Sequence, residues 1–218
     1  MCKETFLRLP DEKRARIINA AWEEFTTVSF ASASINRIIR GAGIPRGSFY
    51  QYFEDKSDLF HYLMSRIQAE LTERYRDVLR ASDGNLFRSA LMSYDRFVSE
   101  QKQGKTVFDR CMALVRVNPG MDLETLGRGH YPEKTRIIGE FIEEIDKTPF
   151  RRQDTRFLSE VCCMAGMCLF SVIMDGLSSP GREAERRAEL LDALDILRRG
   201  SYTESALSRD DFPKGDSL

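Results

Sequence analysis

Residues 33–60, ASINRIIRGAGIPRGSFYQYFEDKSDLF, decide the architecture of this 218-residue chain. Ser34 suits a helix N-cap, because its hydroxyl accepts a backbone N–H of the first turn. Arg37 stands where a Glu or Gln would complete a capping box, so none is expected. Ile35, Ile38 and Ile39 form an apolar side at helical spacing, leaving Asn36, Arg37 and Arg40 to face solvent or a partner. Gly41 and Gly43 are expected to stop this helix. Ile44-Pro45 then restarts the chain, since a residue before proline is pushed extended and proline suits a first helical position. In a helix from Pro45, Phe49 faces inward with Ile44 or Phe53, while Arg46, Ser48, Gln51 and Tyr52 turn elsewhere. Gly47 leaves room for another surface to approach the backbone. Asp55 caps the following helix, and Asp58 at its third position suits the helix dipole. Two helices around a glycine turn, the second short and polar outside, read as a helix-turn-helix.

The outward residues fit duplex chemistry. Arg46 is able to donate two hydrogen bonds to a guanine edge, and Gln51 to pair with adenine in the major groove. Ser34, Ser48, Tyr50, Tyr52 and Lys56 carry the hydroxyl and ammonium groups that hold phosphates and set register. A plain helical hairpin with an aromatic core shares the pattern, so residue types alone leave both readings open.

The stretch INRIIRGAGIPRGSFYQYFEDKSDLF resembles the DNA-binding signature of TetR-type transcriptional regulators. The resemblance begins at Ile17, Ala20, Ala21 and Phe25, runs without a gap to Leu59, and is most specific in AGIPRGSFYQYF. It implies that Tyr50, Tyr52 and Lys56 lie on phosphates and that Arg46, Gly47, Ser48 and Gln51 lie at or near bases. Pro45 opens that helix, and Asn36 and Arg37 match positions that also reach DNA. Ser29 replaces a usual glycine, Ala33 a common threonine and Ile39 a usual alanine. The first departure is expected to strain its turn and the second to remove a cap or phosphate contact.

Composition sets the outer bounds. A hydrophobic fraction of 42% and a charged fraction of 31% are ordinary for a globular protein, and the net charge is −1. Between Ala33 and Lys56, Arg37, Arg40, Arg46 and Lys56 outnumber Glu54 and Asp55. That modest patch favours groove reading by a dimer over non-specific coating of nucleic acid. The polar start MCKETFLRLPDEKRAR does not look like a secretory signal. The uncharged run Val161–Met174 is shorter than the ~20 residues of a membrane span. A cytoplasmic protein without a membrane partner is therefore expected. Cys2, Cys111, Cys162, Cys163 and Cys168 follow neither a disulfide framework nor a zinc pattern, so no metal or cofactor is expected. They read as small packed hydrophobes, with redox sensing open if Cys2 or Cys111 is exposed with a lowered pKa.

The expected fold is all-α: an N-terminal three-helix helix-turn-helix head joined by a long helix to a larger helical ligand-binding and dimerisation domain. The first helix spans about Asp11 to Thr27, with Ile17, Ile18, Ala21, Trp22 and Phe25 in its stripe. The linking helix carries Leu59, Leu63, Ile67, Leu71 and Tyr75 and ends at Ser82-Asp83-Gly84. Helices follow from Leu86, from Thr106, and from Pro132 beyond an Asn118-Pro119-Gly120 turn. Lys134 either snorkels at a helix end or faces an acidic ligand. The apolar helix through VCCMAGMCLFSVIM needs cover on more than one face. Domains are expected at 1–54 (DNA binding), 55–200 (effector binding and dimerisation) and 201–218 (polar tail with at most one short helix).

The partners expected are a double-stranded DNA operator, a second copy of the chain, and a small apolar or amphipathic effector. Met167, Phe170, Met174, Leu190, Leu194 and Leu197 are assigned to the dimer interface. Phe97, Phe108, Met112, Phe141 and Met164 are assigned to the effector pocket, with ordinary core packing as the competing reading. Effector release of a repressor is the favoured mechanism. An activator or a thiol-sensing regulator of the same fold stays open. Catalysis is not expected, since His61 and His130 pair with no nucleophile.

Overall fold

A computed structural model describes residues 2–103, 107–118, 139 and 141–213, without the side chain of residue 115. The regular elements among them are α-helices, with one isolated antiparallel bridge between Phe150 and Tyr202. In chain order they are α1 (Glu4–Leu7), α2 (Asp11–Thr27), α3 (Ile35–Ala42), α4 (Arg46–Tyr52) and α5 (Lys56–Ala81). Then come α6 (Leu86–Gln103), α7 (Val107–Val117), α8 (Thr155–Ser178), α9 (Glu183–Ser201) and α10 (Glu204–Leu207). The proposed helix start at Pro132, Lys134, His130 and the pattern-poor stretch after Asn118 lie outside the described residues.

Packing divides the chain into two compact units, residues 1–71 with 105–130 and residues 72–104 with 131–218. The packing division falls within α5, between Leu71 and Thr72. The reason is apolar: α5 buries Leu59, Phe60, Leu63, Met64 and Ile67 in the same core as the motif helices. A stripe continuous with that core cannot be cut at the helix start.

In the first unit, α2 crosses α3 closely and α7 packs on α2. Val107 and Leu114 of α7 belong to the head core, with Phe108 and Cys111 packed against it. Gly41 lies inside α3 rather than ending it, and a Cβ there would stand 3.2 Å from the Cβ of Ala20. Gly43 alone makes the stop, with φ of 64°. Its N–H reaches Arg40 O at 3.2 Å, and Ile44 N–H reaches Ile39 O at 3.0 Å. This pair of bonds is a Schellman motif, which needs a left-handed residue at that point.

Helix α1 was not visible in the sequence pattern. Four residues are too short to show a period, yet Phe6 is fully buried. Its ring lies 4.6 Å from that of Phe53, 5.2 Å from Tyr62 and 6.0 Å from Tyr52.

In the second unit, α8 packs on α6 and α9, and α6 also packs on α9. Gly84 turns the chain from α5 to α6 with φ of 76°. It also lies against the chain at 144–146, where an added Cβ would come within 2.8 Å of Asp146 N. The segment after Gly200 is not merely a polar tail. Tyr202 and Phe212 are buried against Phe87, Arg151 N–H bonds Ser201 O at 2.9 Å, and Thr203 N–H bonds Pro149 O at 3.0 Å. α10 is the short helix allowed for there, capped by Thr203.

α8 runs 24 residues and is apolar enough, by length and composition, to cross a membrane. The shorter run counted in the sequence omitted the turns at each end, which the helix includes. Leu158, Val161, Ala165, Val172 and Ile173 face inward, while Met164, Met167 and Phe170 are exposed.

Gly43→Ala is expected to destabilise the fold by ~1–2 kcal/mol from the left-handed backbone alone. Gly84→Ala adds overlap with backbone atoms and is expected to cost ~2–5 kcal/mol. Urea denaturation of both variants checks this, and equal losses would refute the overlap at Gly84.

Candidate nucleic-acid interface

The outward row is set by how α4 is held at both ends. Gly43 and extended Pro45 (φ −63°, ψ 149°) aim the helix, with Pro45 as its N-cap rather than its first helical residue. Phe49 and Phe53 are fully buried beneath it. A seven-residue helix leaves most of its C-terminal carbonyls without internal partners. The N-terminal segment supplies them: Lys3 Nζ donates to Tyr50 O at 2.9 Å, Thr5 Oγ1 to Gln51 O at 2.6 Å, and Lys3 N–H to Tyr52 O at 2.9 Å. No sequence signal short of the fold joins residues 3–5 to residues 50–52.

Pro45, Arg46, Gly47, Tyr50 and Gln51 are exposed along α4, and Ser48 is half-buried. A Cβ on Gly47 would meet nothing within 4 Å, so the backbone there lies open. Asn36 of α3 joins the row, since Arg46 Nη1 donates to Asn36 Oδ1. Arg46 Nη2 also donates to the Tyr50 hydroxyl oxygen at 3.3 Å.

Four of the expected contacts are placed differently. Tyr52 is buried under Phe6, with Lys13 Nζ 5.8 Å from its ring centre, so its ring serves the core. Lys56 Nζ donates to Phe30 O (2.8 Å), Ala31 O (2.9 Å) and Ala33 O (3.2 Å). An ammonium has three donors, so all are engaged by the turn between α2 and α3, and the charge also lies 4.9 Å from the Phe30 ring centre. Arg37 is drawn to Glu24, donating from Nε at 2.7 Å and from Nη2 at 2.5 Å. Ser34 caps no helix through its hydroxyl. Its N–H instead donates to Glu24 Oε1 at 2.7 Å.

Glu24 is therefore the keystone at the start of α3, a buried acid that sequence reading passed over. The nearest signal was its position one residue before Phe25 on a helix otherwise apolar on that side. The hydrogen bond from Arg37 holds its pKa below the usual carboxylate value, against the effect of burial and with help from Ser34 N–H. The turn itself is unstrained: Asp83 is the one non-glycine residue with positive φ among the described residues, so Ser29 meets no penalty. Asn118 at the end of α7 accepts Phe30 N–H at 2.7 Å, fastening the same turn from another side. Asp55 caps α5 as expected, accepting Asp58 N–H at 2.8 Å, and Asp58 accepts Glu54 N–H at 3.1 Å in return.

The residues assigned to an effector pocket fall in both units. Phe108 and Met112 lie on α7 in the first unit, Phe108 against the head core. Phe97 and Phe141 lie in the second unit, Phe97 buried and Phe141 edge-on to Tyr75 at 5.2 Å. Met164 is exposed on α8, because the inward side of that helix is taken by Val161 and Ala165. Leu190 and Leu194 are fully buried within their own unit, where α9 meets α6 and α8, so they cannot also face a partner. Leu197 and Met174 are half-buried, and Met167, Phe170 and Ile196 are exposed. Burial pushes the Cys111 thiol up to about 11 and Cys162 up to about 12, and raises Cys2, the reverse of what a reactive thiolate needs.

Residues 17–63 match the sequence pattern described as bacterial regulatory proteins, tetR family. The chain is 30% identical to the HTH-type transcriptional activator FasR of Mycolicibacterium smegmatis over 44% of its own length and 46% of FasR. It thus spans less than half of that relative. It is 23% identical to the uncharacterized HTH-type transcriptional regulator YdgC of Bacillus subtilis, over 83% of this chain and 91% of YdgC. The fold is shared with SmeT, the repressor of the Stenotrophomonas maltophilia multidrug efflux pump SmeDEF. That match has a TM-score of 0.60 at 13% identity and covers 95% of this chain and all of SmeT.

Two measurements test the network at the start of α3. Because the folded pKa of Glu24 lies below its unfolded value of ~4.3, its contribution is complete above that value and is lost as pH falls through the folded pKa. Glu24→Gln should therefore flatten the acid limb of the stability–pH profile, and an unchanged limb would remove Glu24 from this role. Lys56→Met should lower stability by ~1–3 kcal/mol, since the partly buried carbonyls of Phe30 and Ala33 lose a charged donor. Unaltered stability with weakened DNA binding would instead return Lys56 to the phosphates.

Proposed function

We propose that this chain, which belongs to the TetR family of transcriptional regulators, is a repressor that binds a near-palindromic operator as a dimer and leaves it when a small effector binds. The observation that carries the reading is the exposed row Pro45, Arg46, Gly47, Tyr50 and Gln51 on a helix fixed at both ends. Arg46 and Gln51 have the donors and acceptors that read base edges, and the Tyr50 hydroxyl suits a phosphate. As a regulator rather than an enzyme, the chain works where the chromosome is, in the cytoplasm.

Dimerisation is supported by the exposed face of α8. Met164, Met167 and Phe170 stand in water on one side of a helix whose other side is packed, and Ile196 of α9 is 72% exposed. A second copy related by a two-fold axis offers the same apolar surface in return. Two recognition helices would then lie about one duplex turn, ~34 Å, apart. Met167, Phe170, Met174 and Leu197 remain in the proposed interface, with Ile196 added and Leu190 and Leu194 removed.

The second unit is the proposed effector-binding part, with Phe97 and Phe141 the retained candidates for its lining. An effector releases DNA only if it binds the released state better than the DNA-competent one. α5, which contributes residues to both units, is the proposed carrier of that difference. The raised thiols of Cys2, Cys111 and Cys162 speak against the oxidant-sensing alternative.

The test uses the promoter beside the chain's own gene. Arg46→Ala should weaken binding by ~1–3 kcal/mol and relax sequence preference at one position per half-site. Met167→Glu with Phe170→Glu should yield a monomer in sedimentation that no longer holds the palindromic duplex. A dimer unaffected by both charges would overturn the interface, and transcription that falls on deleting the gene would replace repression with activation.

A further inference from the structure

We propose that Asn36, on α3, is a positioning residue that sets the Arg46 guanidinium for reading a guanine. This rests on the reading of α4 as the groove helix and adds to it a residue from the preceding helix. Asn36 and Arg46 are both exposed, ten positions apart, and brought together by the Gly43 turn. A guanidinium only donates, so the carboxamide oxygen of Asn36 must be the atom that faces it, which directs the amide NH2 group away. Arg46 Nη1 donates to that oxygen, while Nη2 donates to the Tyr50 hydroxyl at 3.3 Å. The guanidinium carbon also lies 5.8 Å from the Tyr50 ring centre.

A long arginine side chain on an exposed helix ordinarily samples many rotamers, and ordering it on binding opposes affinity. Here one acceptor on each terminal nitrogen restrains the fork before DNA arrives. Each terminal nitrogen carries a second N–H, so the fork keeps a pair of donors for guanine O6 and N7. Tyr50 accepts from Arg46 through a lone pair and retains its own O–H to donate to a phosphate oxygen. Asn36, Arg46 and Tyr50 therefore form one reading unit with distinct tasks: Arg46 recognises the base, Tyr50 anchors the backbone, and Asn36 fixes the geometry between them.

The experiment selects duplexes from a pool with a randomised centre, using the full-length protein and Arg46→Ala, Asn36→Ala and Asn36→Asp. The position at which Arg46→Ala loses preference identifies the base pair. Affinities are then measured for the selected duplex and for one carrying adenine in place of that guanine. A bidentate arginine–guanine pair discriminates by ~5- to 150-fold. Asn36→Ala should lower that ratio by ~3- to 10-fold, the share of one hydrogen bond. Asn36→Asp should keep it, because a carboxylate still accepts from Arg46, while its charge weakens binding to both duplexes.

A structural role alone would lower both affinities alike and leave the ratio unchanged, and that result overturns the proposal. So does loss of the ratio in Asn36→Asp as well as Asn36→Ala, or an Arg46→Ala protein that selects the original motif. If the unaltered protein selects no sequence at all, the operator-binding reading falls instead.

Discussion

Three carbonyls in the turn between α2 and α3 converge on one ammonium, that of Lys56, and this convergence ties the start of α5 to the turn ahead of α3. The carbonyls sit at a helix junction where Phe30 O takes one backbone bond, from Ala33 N–H at 3.3 Å, and a lysine from the start of α5 donates to all three. The same turn is gripped by Asn118 through Phe30 N–H and by Glu24 through Ser34 N–H. Helices α2, α3, α5 and α7 are thus tied at one point by charged or amide side chains over an aromatic floor of Phe25, Phe30 and Phe60. The direction in which α3 leaves the turn fixes where Gly43 places α4.

Charge on the interface is distributed by this arrangement. Two cations that a count along the sequence would assign to DNA, Arg37 and Lys56, are employed in holding the head together. Arg40 and Arg46 are left exposed. The place of α7 has a consequence of the same sort. A helix far from the motif in sequence shares the head's core through Val107 and Leu114, and Asn118, just past its end, bonds the turn before α3.

In the second unit the contrast lies between the two faces of α8. Its inward side is complete within one chain, and its outward side leaves methionines and a phenylalanine in water. That asymmetry explains why α9 does not supply the leucine seam expected of it. Leu190 and Leu194 are already consumed by α6 and α8, and only Ile196 stands fully outside.

The sequence by itself determined the all-helical class, the helix-turn-helix and the identity of α4 as the exposed helix. Those features follow from local physics: apolar spacing, a glycine that alone accepts a left-handed stop, a proline that restarts the chain, and an aspartate that caps α5. Tertiary structure decided the rest, because it depends on which distant groups meet. It buried Tyr52 beneath Phe6, bonded Lys56 and Arg37 to the protein, and paired Glu24 with Ser34 and Arg37 at the start of α3. It also moved α7 into the head and set Asn36 against Arg46. Each of these is a pairing between segments whose separation along the chain carries no period, and only a folded backbone brings their donors and acceptors within reach.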